Sequence, residues 1–349
     1  MRVVLPAALD RKLMTHTFVI AEAGVNHNGS VDLALQLVDV AKASGADAVK
    51  FQTFRAETLV TPSAVKAPYQ DRTTSASESQ FEMLQRLQLS ADDHRKLIQH
   101  CRKIGIQFLS SPFDIQSADL LDEMGLPIYK VPSGEITNLP FLRHLARKKK
   151  PLIVSTGMST LGEVEEAVQV LQVDGAKQIT LLHCVTEYPA PFDQVNLRAM
   201  LTLKAAFGLS VGYSDHTTGI EVAVAAVALG AEVIEKHLTM DRSLPGPDHH
   251  ASLEPNEFEK MVAAIRHIET ALGTGIKKAA PCELQNIPIA RKSVVSSQAL
   301  PVGHRIVSGD LEIKRPGTGL APKFLPAMIG RTLRTSVDRD EVLTWDHFA

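Results

Sequence analysis

In the segment KFQT, Lys50 and Gln52 stand two residues apart, as do Glu235 and His237 in IEKHLT. Alternate side chains of an extended strand share a face, so each spacing puts two polar groups on one side. Other short β-rich runs close on Glu22, Ser111, Lys130, Ser155 and His183. Taken singly, a strand-end lysine is normally solvated and a lone histidine is normally a satisfied core or rim residue. Repeated at run after run, the pattern predicts a polar active site where the strands end. Lys50 and Lys130, with Ser111, Ser133 and Ser155, form a cradle for a phosphate or phospho-carboxylate. Lysine supplies the point charge, and hydroxyls and backbone N–H groups supply directional bonds. Schiff-base formation is the rival use of such a lysine, but it needs one desolvated amine rather than two among hydroxyls.

His216 in YSDHTTG and His237 in IEKHLT follow neighbouring runs. Adjacent strands are about 4.8 Å apart, so both imidazoles could reach one divalent ion such as Mn2+, Mg2+, Fe2+ or Zn2+ acting as a Lewis acid. His249 and His250 follow in PGPDHH, where tandem loop histidines are more often solvated than ligating. Glu22, Glu135 and Glu235 supply acid/base groups from three strand ends. An internal salt bridge to Lys50 or Lys130 is the structural alternative for Glu235.

Positioning these groups requires eight strands. The runs FVIAEAG (18–24), DAVKFQ (47–52), IQFLSS (106–111), PIYKVP (127–132), PLIVSTG (151–157), ITLLHC (179–184), LSVGYS (209–214) and EVIEKH (232–237) alternate with segments of helical period. Ser30 and Ser90 precede helices, and Gly45, Gly105 and Gly125 sit near helix ends. Eight strand–helix units over residues 1–272 predict an α/β chain built on a TIM (β/α)8 barrel rather than a doubly wound sheet. Residues 55–90, with the polar DRTTSASESQ at 71–80, are long for a βα connection and read either as a loop over the site or as a mobile surface insertion. Residues 273–290 carry Pro281 and Pro288 and read as a linker. Residues 291–349 show β-like pieces at Ser293–Ser296, Arg305–Val307 and Leu311–Lys314 and read as a small β-rich domain. So small a domain is expected to pack on the barrel or on another subunit.

Composition narrows the class. The 349 residues are 44% hydrophobic and 22% charged with a net charge of -2, which excludes disorder as the main state and argues against a nucleic-acid binder. The three cysteines, Cys101, Cys184 and Cys282, are too dispersed for a disulfide framework or zinc knuckle. No apolar stretch reaches the ~18 residues of a membrane span, and Val3 to Leu9 lacks a convincing cleavage signal. The expectation is a soluble, cytoplasmic protein without membrane partners.

Together, AEAGVNHNG (21–29), KFQT (50–53), YKVPSGEITN (129–138), VSTGMST (154–160), EYPAP (187–191), GYSDHTTG (212–219), IEKHLT (234–239), PGPDH (245–249) and KRPGTGL (314–320) resemble the sialic acid synthase family, in family order from Phe18 to the C-terminus. The resemblance implies a TIM barrel followed by an antifreeze-like (SAF) domain, in a domain-swapped homodimer. It implies condensation of phosphoenolpyruvate with an open-chain N-acyl hexose to a nine-carbon 2-keto acid, releasing phosphate. Lys50, Ser111, Lys130, Ser133, Ser155 and Thr186 match the phosphoenolpyruvate positions, Thr186 standing where sialic acid synthases often carry asparagine. His216 and His237 match the ligands of Mn2+, with Mg2+ or Co2+ as substitutes. Glu135 is assigned the proton transfers on the tetrahedral intermediate, and Glu22 the placing of the sugar hydroxyl or aldehyde. Gln52, Tyr188 and Asp248 match sugar contacts, and Arg315 matches an arginine that reaches the N-acyl group from the small domain. N-acetylneuraminate is favoured as product over N,N'-diacetyllegionaminate or pseudaminate. Of other classes, a carbohydrate- or ice-binding module and a Schiff-base aldolase on the same barrel stay open.

Overall fold

A computed structural model describes residues 16–75 and 77–349. The apolar run Val3 to Leu9 lies outside the described residues, as does Ala76 of the polar stretch. The chain divides into two compact units, Met1–Gly273 and Thr274–Ala349.

The first unit contains eight strands: β1 (Phe18–Gly24), β2 (Ala48–Thr53), β3 (Gln107–Pro112), β4 (Tyr129–Val131), β5 (Leu152–Ser155), β6 (Ile179–His183), β7 (Ser210–Asp215) and β8 (Val233–His237). They form one parallel sheet in the order β3-β2-β1-β8-β7-β6-β5-β4, with β3 and β4 side by side at the seam. Pairing of β1 with β8, first strand with last, is what closes a sheet into a barrel. This is the TIM-like architecture the alternation predicts.

The two-residue period sorts the strand side chains into storeys. Phe18, Ile20, Ala48, Leu109, Ile128, Ile153, Leu182 and Val233 form one buried apolar cluster within the ring. Gly212 belongs to the same layer, because a Cβ there would meet the Leu182 side chain at 2.7 Å. One step of two toward each C-terminus turns this apolar floor polar. Ile20 is followed by Glu22, Ala48 by Lys50, Leu109 by Ser111, Ile128 by Lys130, Ile153 by Ser155, Gly212 by Ser214 and Val233 by Glu235. The intervening residues face the helices and join the main core, among them Val19, Val49, Tyr129, Val154, Leu181, Tyr213 and Ile234.

Helix boundaries follow cap chemistry. Ser30 accepts from the Leu33 N–H at the start of the helix Val31–Ala43. Ser90 and Asp93 form a capping box for the helix Ala91–Ile104, which ends at Gly105 in the left-handed region. Residues 55–90 are not a bare loop. They hold three short helices, Ala56–Leu59, Pro68–Thr73 and Gln80–Leu87. Met83 and Leu87 pack with Val25 and Phe54 in a satellite core, so the insertion is anchored by burial despite its polar sequence.

The second unit has its own core around Val294, Leu300, Ile306, Leu333 and Leu343. Its hairpin pairs β9 (Ser293–Ser296) antiparallel to β10 (Leu311–Lys314). Of the expected strand Arg305–Val307, only an isolated bridge from Arg305 to Thr332 forms. The segment read as a linker contains helical turns at Pro281–Asn286 and Ile287–Ala290. Its prolines sit in the first turn of each, where proline starts a helix rather than breaking one.

Candidate active site

The polar storey opens into a cavity of about 310 Å3 at the C-terminal ends of the strands. Glu22, Lys50, Gln52, Ser111, Lys130, Ser133, Ser155, Thr186, Tyr188, His216, Glu235, His237 and Asp248 all line it. Backbone register explains the closest contacts. Glu22 and Lys50 are partners across β1 and β2, and Lys50 Nζ lies 2.8 Å from Glu22 Oε2 and donates to Ser111 Oγ at 3.1 Å. Glu235 bridges the two lysines, 3.6 Å from Lys50 and 3.4 Å from Lys130, and accepts from the Ser214 hydroxyl at 2.9 Å. The internal salt bridge expected as the alternative for Glu235 is therefore present, and it lies inside the cavity.

These contacts set the charge states. Burial raises the Glu22 carboxyl to about 7, against the pull of Lys50. Burial also works against the Glu235 charge, but Lys130, Lys50 and Ser214 overcome it and hold that carboxyl at about 2. Asp248 is raised to about 7 by burial. Lys50 is raised despite burial because Glu22 and Glu235 flank it, whereas burial lowers Lys130. One mouth thus holds a firmly ionised carboxylate, two carboxyls poised near neutrality and two lysines of unequal basicity.

Hydroxyls converge beside Lys130. Ser133 Oγ accepts from the Gly157 N–H at 2.9 Å and lies 3.2 Å from Cys184 Sγ. The Ser155 and Thr186 hydroxyls are buried and have no hydrogen-bond partner among the described residues. Buried polar atoms are normally satisfied, so this pair marks a place for a ligand acceptor or water.

The two histidines lie together, ring centroids 5.5 Å apart, with Tyr188 over His216 at 4.2 Å. His216 Nδ1 donates to the Val185 carbonyl at 2.6 Å, which leaves Nε2 as a lone-pair donor. His237 Nδ1 is buried, has no hydrogen-bond partner among the described residues, and lies 3.9 Å from Asp248 Oδ2. Burial lowers His216 to about 4 and His237 well below the usual value, so both rings are neutral. That is the state metal coordination requires. Among the described residues no three His, Cys, Asp or Glu side chains are gathered as a metal cage. A divalent ion held here would take the rest of its shell from water and substrate oxygens.

Opposite the charged wall stands an apolar one. Leu59, Val60, Met83, Leu84 and Leu87 of the insertion line the cavity with Val25 and Phe113. Tyr69 stacks on Tyr188 with centroids 4.9 Å apart, and Thr73 accepts from the Gly246 N–H at 3.2 Å. The insertion therefore covers the site, as the first of its two readings anticipates.

Two expected residues stand elsewhere. Glu135 does not line the cavity, although Ser133 and Gly134 do; its carboxylate accepts from Asn138 Nδ2 at 2.6 Å. His183 is one residue out of phase with Leu182 and Cys184, and it faces the helix layer, bonded to the Val195 carbonyl at 2.8 Å. Arg315 belongs to the second unit, where its Nε donates to the Ala290 carbonyl. His249, expected to be solvated, is fully buried between Thr239 and Asn28. Sequence reasoning missed Ser214 and Cys184 as lining residues, although the two-residue step from Gly212 and Leu182 points to both.

Comparison with known proteins agrees with this geometry. An N,N'-diacetyllegionaminic acid synthase of Campylobacter jejuni is 52% identical over 332 residues, 95% of this chain and 99% of its own. One of Legionella pneumophila is 49% identical over 334 residues, 95% of this chain and 94% of its own. The solved structure of an N-acetylneuraminic acid (sialic acid) synthetase from Leptospira borgpetersenii, in complex with citrate, aligns with a TM-score of 0.70 at 34% identity. That alignment covers 78% of this chain and 90% of the other. The NeuB family model matches residues 37–277 and the SAF domain model residues 291–349. The motif resemblance is borne out: the chain belongs to the NeuB family and ends in an SAF domain.

Proposed function

We propose that this protein is an N,N'-diacetyllegionaminate synthase, condensing phosphoenolpyruvate with open-chain 2,4-diacetamido-2,4,6-trideoxymannose and releasing phosphate. The observation that carries this reading is the 52% identity, over nearly the full length of both chains, to a synthase of that name. The expectation that favoured N-acetylneuraminate gives way, because the sialic acid synthetase stands at 34%. The apolar wall supports the change: a 6-deoxy carbon and the methyl of an additional acetamido group present apolar surface where N-acetylmannosamine presents hydroxyls.

In this reading Lys50 and Lys130 bind the phosphate and carboxylate of phosphoenolpyruvate, with Ser111, Ser133, Ser155 and Thr186 donating around them. His216 and His237 would hold a divalent ion, Mn2+ by preference, whose chemistry is to polarise the sugar aldehyde. C3 of phosphoenolpyruvate bonds to the aldehyde carbon, and Glu22 gives its proton to the aldehyde oxygen. Water adds at C2 and passes one proton to the Glu22 carboxylate, and the tetrahedral intermediate expels phosphate with cleavage of the C2–O bond as the C2 hydroxyl proton passes to the leaving phosphate. Glu235 stays ionised and pairs with both lysines. Glu22 takes the acid role assigned from sequence to Glu135, because Glu22 faces the cavity and is poised near neutrality.

Phosphate release should be measured with phosphoenolpyruvate, Mn2+ and either the diacetamido sugar or N-acetylmannosamine. A kcat/KM at least tenfold higher for the diacetamido sugar is expected; preference for N-acetylmannosamine would overturn the assignment. One observation favours a Schiff-base aldolase instead, the lowered pKa of Lys130. Borohydride trapping of substrate on that lysine would establish the alternative.

A further inference from the structure

Between the inward residues of β7 and β8 lies a second, outward pair that the chemistry above does not use. Asp215 and Lys236 are register partners, as are Ser214 and Glu235. Alternation sends Ser214 and Glu235 into the cavity, Asp215 and Lys236 to the outer face, and the next rung, His216 and His237, back inside. Lys236 and Asp215 are both 0% exposed, and Lys236 Nζ lies 2.8 Å from Asp215 Oδ2.

The bonding around that ammonium is directed at His216. Lys236 Nζ donates to Asp215 Oδ2 and, at 2.5 Å, to the Thr217 carbonyl oxygen. Asp215 Oδ1 accepts from both the Thr217 N–H at 2.9 Å and the Thr217 hydroxyl at 2.8 Å. The residues on either side of His216 are therefore tied to one cation, which belongs to the residue immediately before His237. β7 ends at Asp215, and past the strand ladder the His216 carbonyl accepts from the Ala190 N–H at 2.9 Å. The Lys236 clamp adds a second tie, through the residues on either side of His216.

Energetics favour a geometric role over simple stabilisation. Removing two charges from water is costly, and well-packed apolar residues often replace a buried pair without loss of stability. A fully buried pair at this place does what an apolar pair cannot: it ties side chain to backbone at fixed distances on both flanks of a cavity histidine.

We propose that Lys236 and Asp215 are positioning residues that set the spacing of His216 and His237 from outside the barrel, and thereby the affinity for a divalent cation. The proposal rests on the reading of those histidines as the metal-holding pair. Mn2+ binding to the full chain, followed by the electron paramagnetic resonance of the free aquo ion, tests both separately. His216→Ala should abolish specific binding, whereas unchanged binding would remove the metal reading itself. Lys236→Met should weaken Mn2+ binding about 10- to 100-fold. Since that variant leaves Asp215 buried and unpaired, the deciding variant is Asp215→Leu/Lys236→Met, which removes both charges. It should regain the wild-type urea midpoint yet keep the 10- to 100-fold deficit in Mn2+ affinity. Mn2+ affinity within twofold of wild type in the folded double variant, with binding lost in His216→Ala, would overturn the positioning role alone.

Discussion

Glu22 and Lys50 face each other in register across β1 and β2, Oε2 to Nζ at 2.8 Å, both buried at the floor of the cavity. Burial dominates the carboxyl and flanking carboxylates dominate the amine, so Glu22 exchanges its proton near neutrality while Lys50 stays charged. A proton donor and a fixed cation thus sit in contact, each tuned by a different cause.

If Glu22 delivers the proton to the aldehyde oxygen, it works in its protonated form, and kcat should fall as pH rises through about 7. Glu22→Gln should lower kcat by about 10^2- to 10^4-fold and remove that limb. Glu135→Gln should cost less than tenfold. A limb that survives in Glu22→Gln would belong to Asp248, the other carboxyl raised to about 7.

Stability should respond to pH with two opposing signs. His27, His216 and His249 are lowered by burial to about 4 from 6.5. From pH 4 to 6.5 the unfolded chain binds protons that the native state refuses, so their contribution grows with pH. Glu22 and Asp248, raised to about 7, contribute fully at low pH and lose that contribution as pH climbs to 7. Three histidines outweigh two carboxyls, so the urea midpoint should rise from pH 4.5 to 6.5 and fall slightly by pH 7.5. A midpoint declining steadily from pH 5 would show that the carboxyls dominate.

Two glycines should fail in different ways. A Cβ at Gly157 would meet Thr186 Oγ1 at 2.4 Å, Ser133 Oγ at 2.9 Å and Cys184 Sγ at 3.0 Å, all side-chain atoms of the anion cradle. Gly157→Ala should raise the KM for phosphoenolpyruvate at least tenfold, in addition to the stability lost to the crowding. At Gly212 the obstacle is the Val233 backbone at 2.2 Å, so Gly212→Ala should lower stability by about 1–3 kcal/mol. Steady-state kinetics and urea unfolding of both variants distinguish the two effects.

The apolar wall should govern acceptor choice. Leu84→Gln should raise the KM for the diacetamido sugar about tenfold, the scale of a lost apolar contact, and leave the KM for phosphoenolpyruvate unchanged. An equal rise for both substrates would show that the insertion shapes the whole site instead of the sugar end.

The barrel and most of its mouth were legible because a period of two is short and strict: residues two past a buried apolar one had to face the cavity. His183 was misplaced because the polar residue at that strand end lies out of phase, and residue type outweighed phase. Lys236 was invisible for a related reason, since no local pattern separates a lysine buried under a helix from a solvated one. The helices of the insertion were masked by polar composition, although Ser79 and Glu82 form a capping box. The sugar was not legible from Thr186 alone, because the wall proposed to meet it is made of Leu59, Val60 and Leu84, whose types say only that they are apolar.

The apolar floor and polar upper storey of the ring have an evolutionary corollary. The lysines proposed to handle phosphoenolpyruvate, Lys50 and Lys130, sit on strands that must also close the cylinder, so any change to them risks folding as well as turnover. The wall proposed to meet the sugar belongs to an excursion that closes nothing, and its residues can drift as long as Met83 and Leu87 keep it anchored. New acceptors can therefore be recruited by rewriting one detachable stretch, while the donor chemistry is inherited intact.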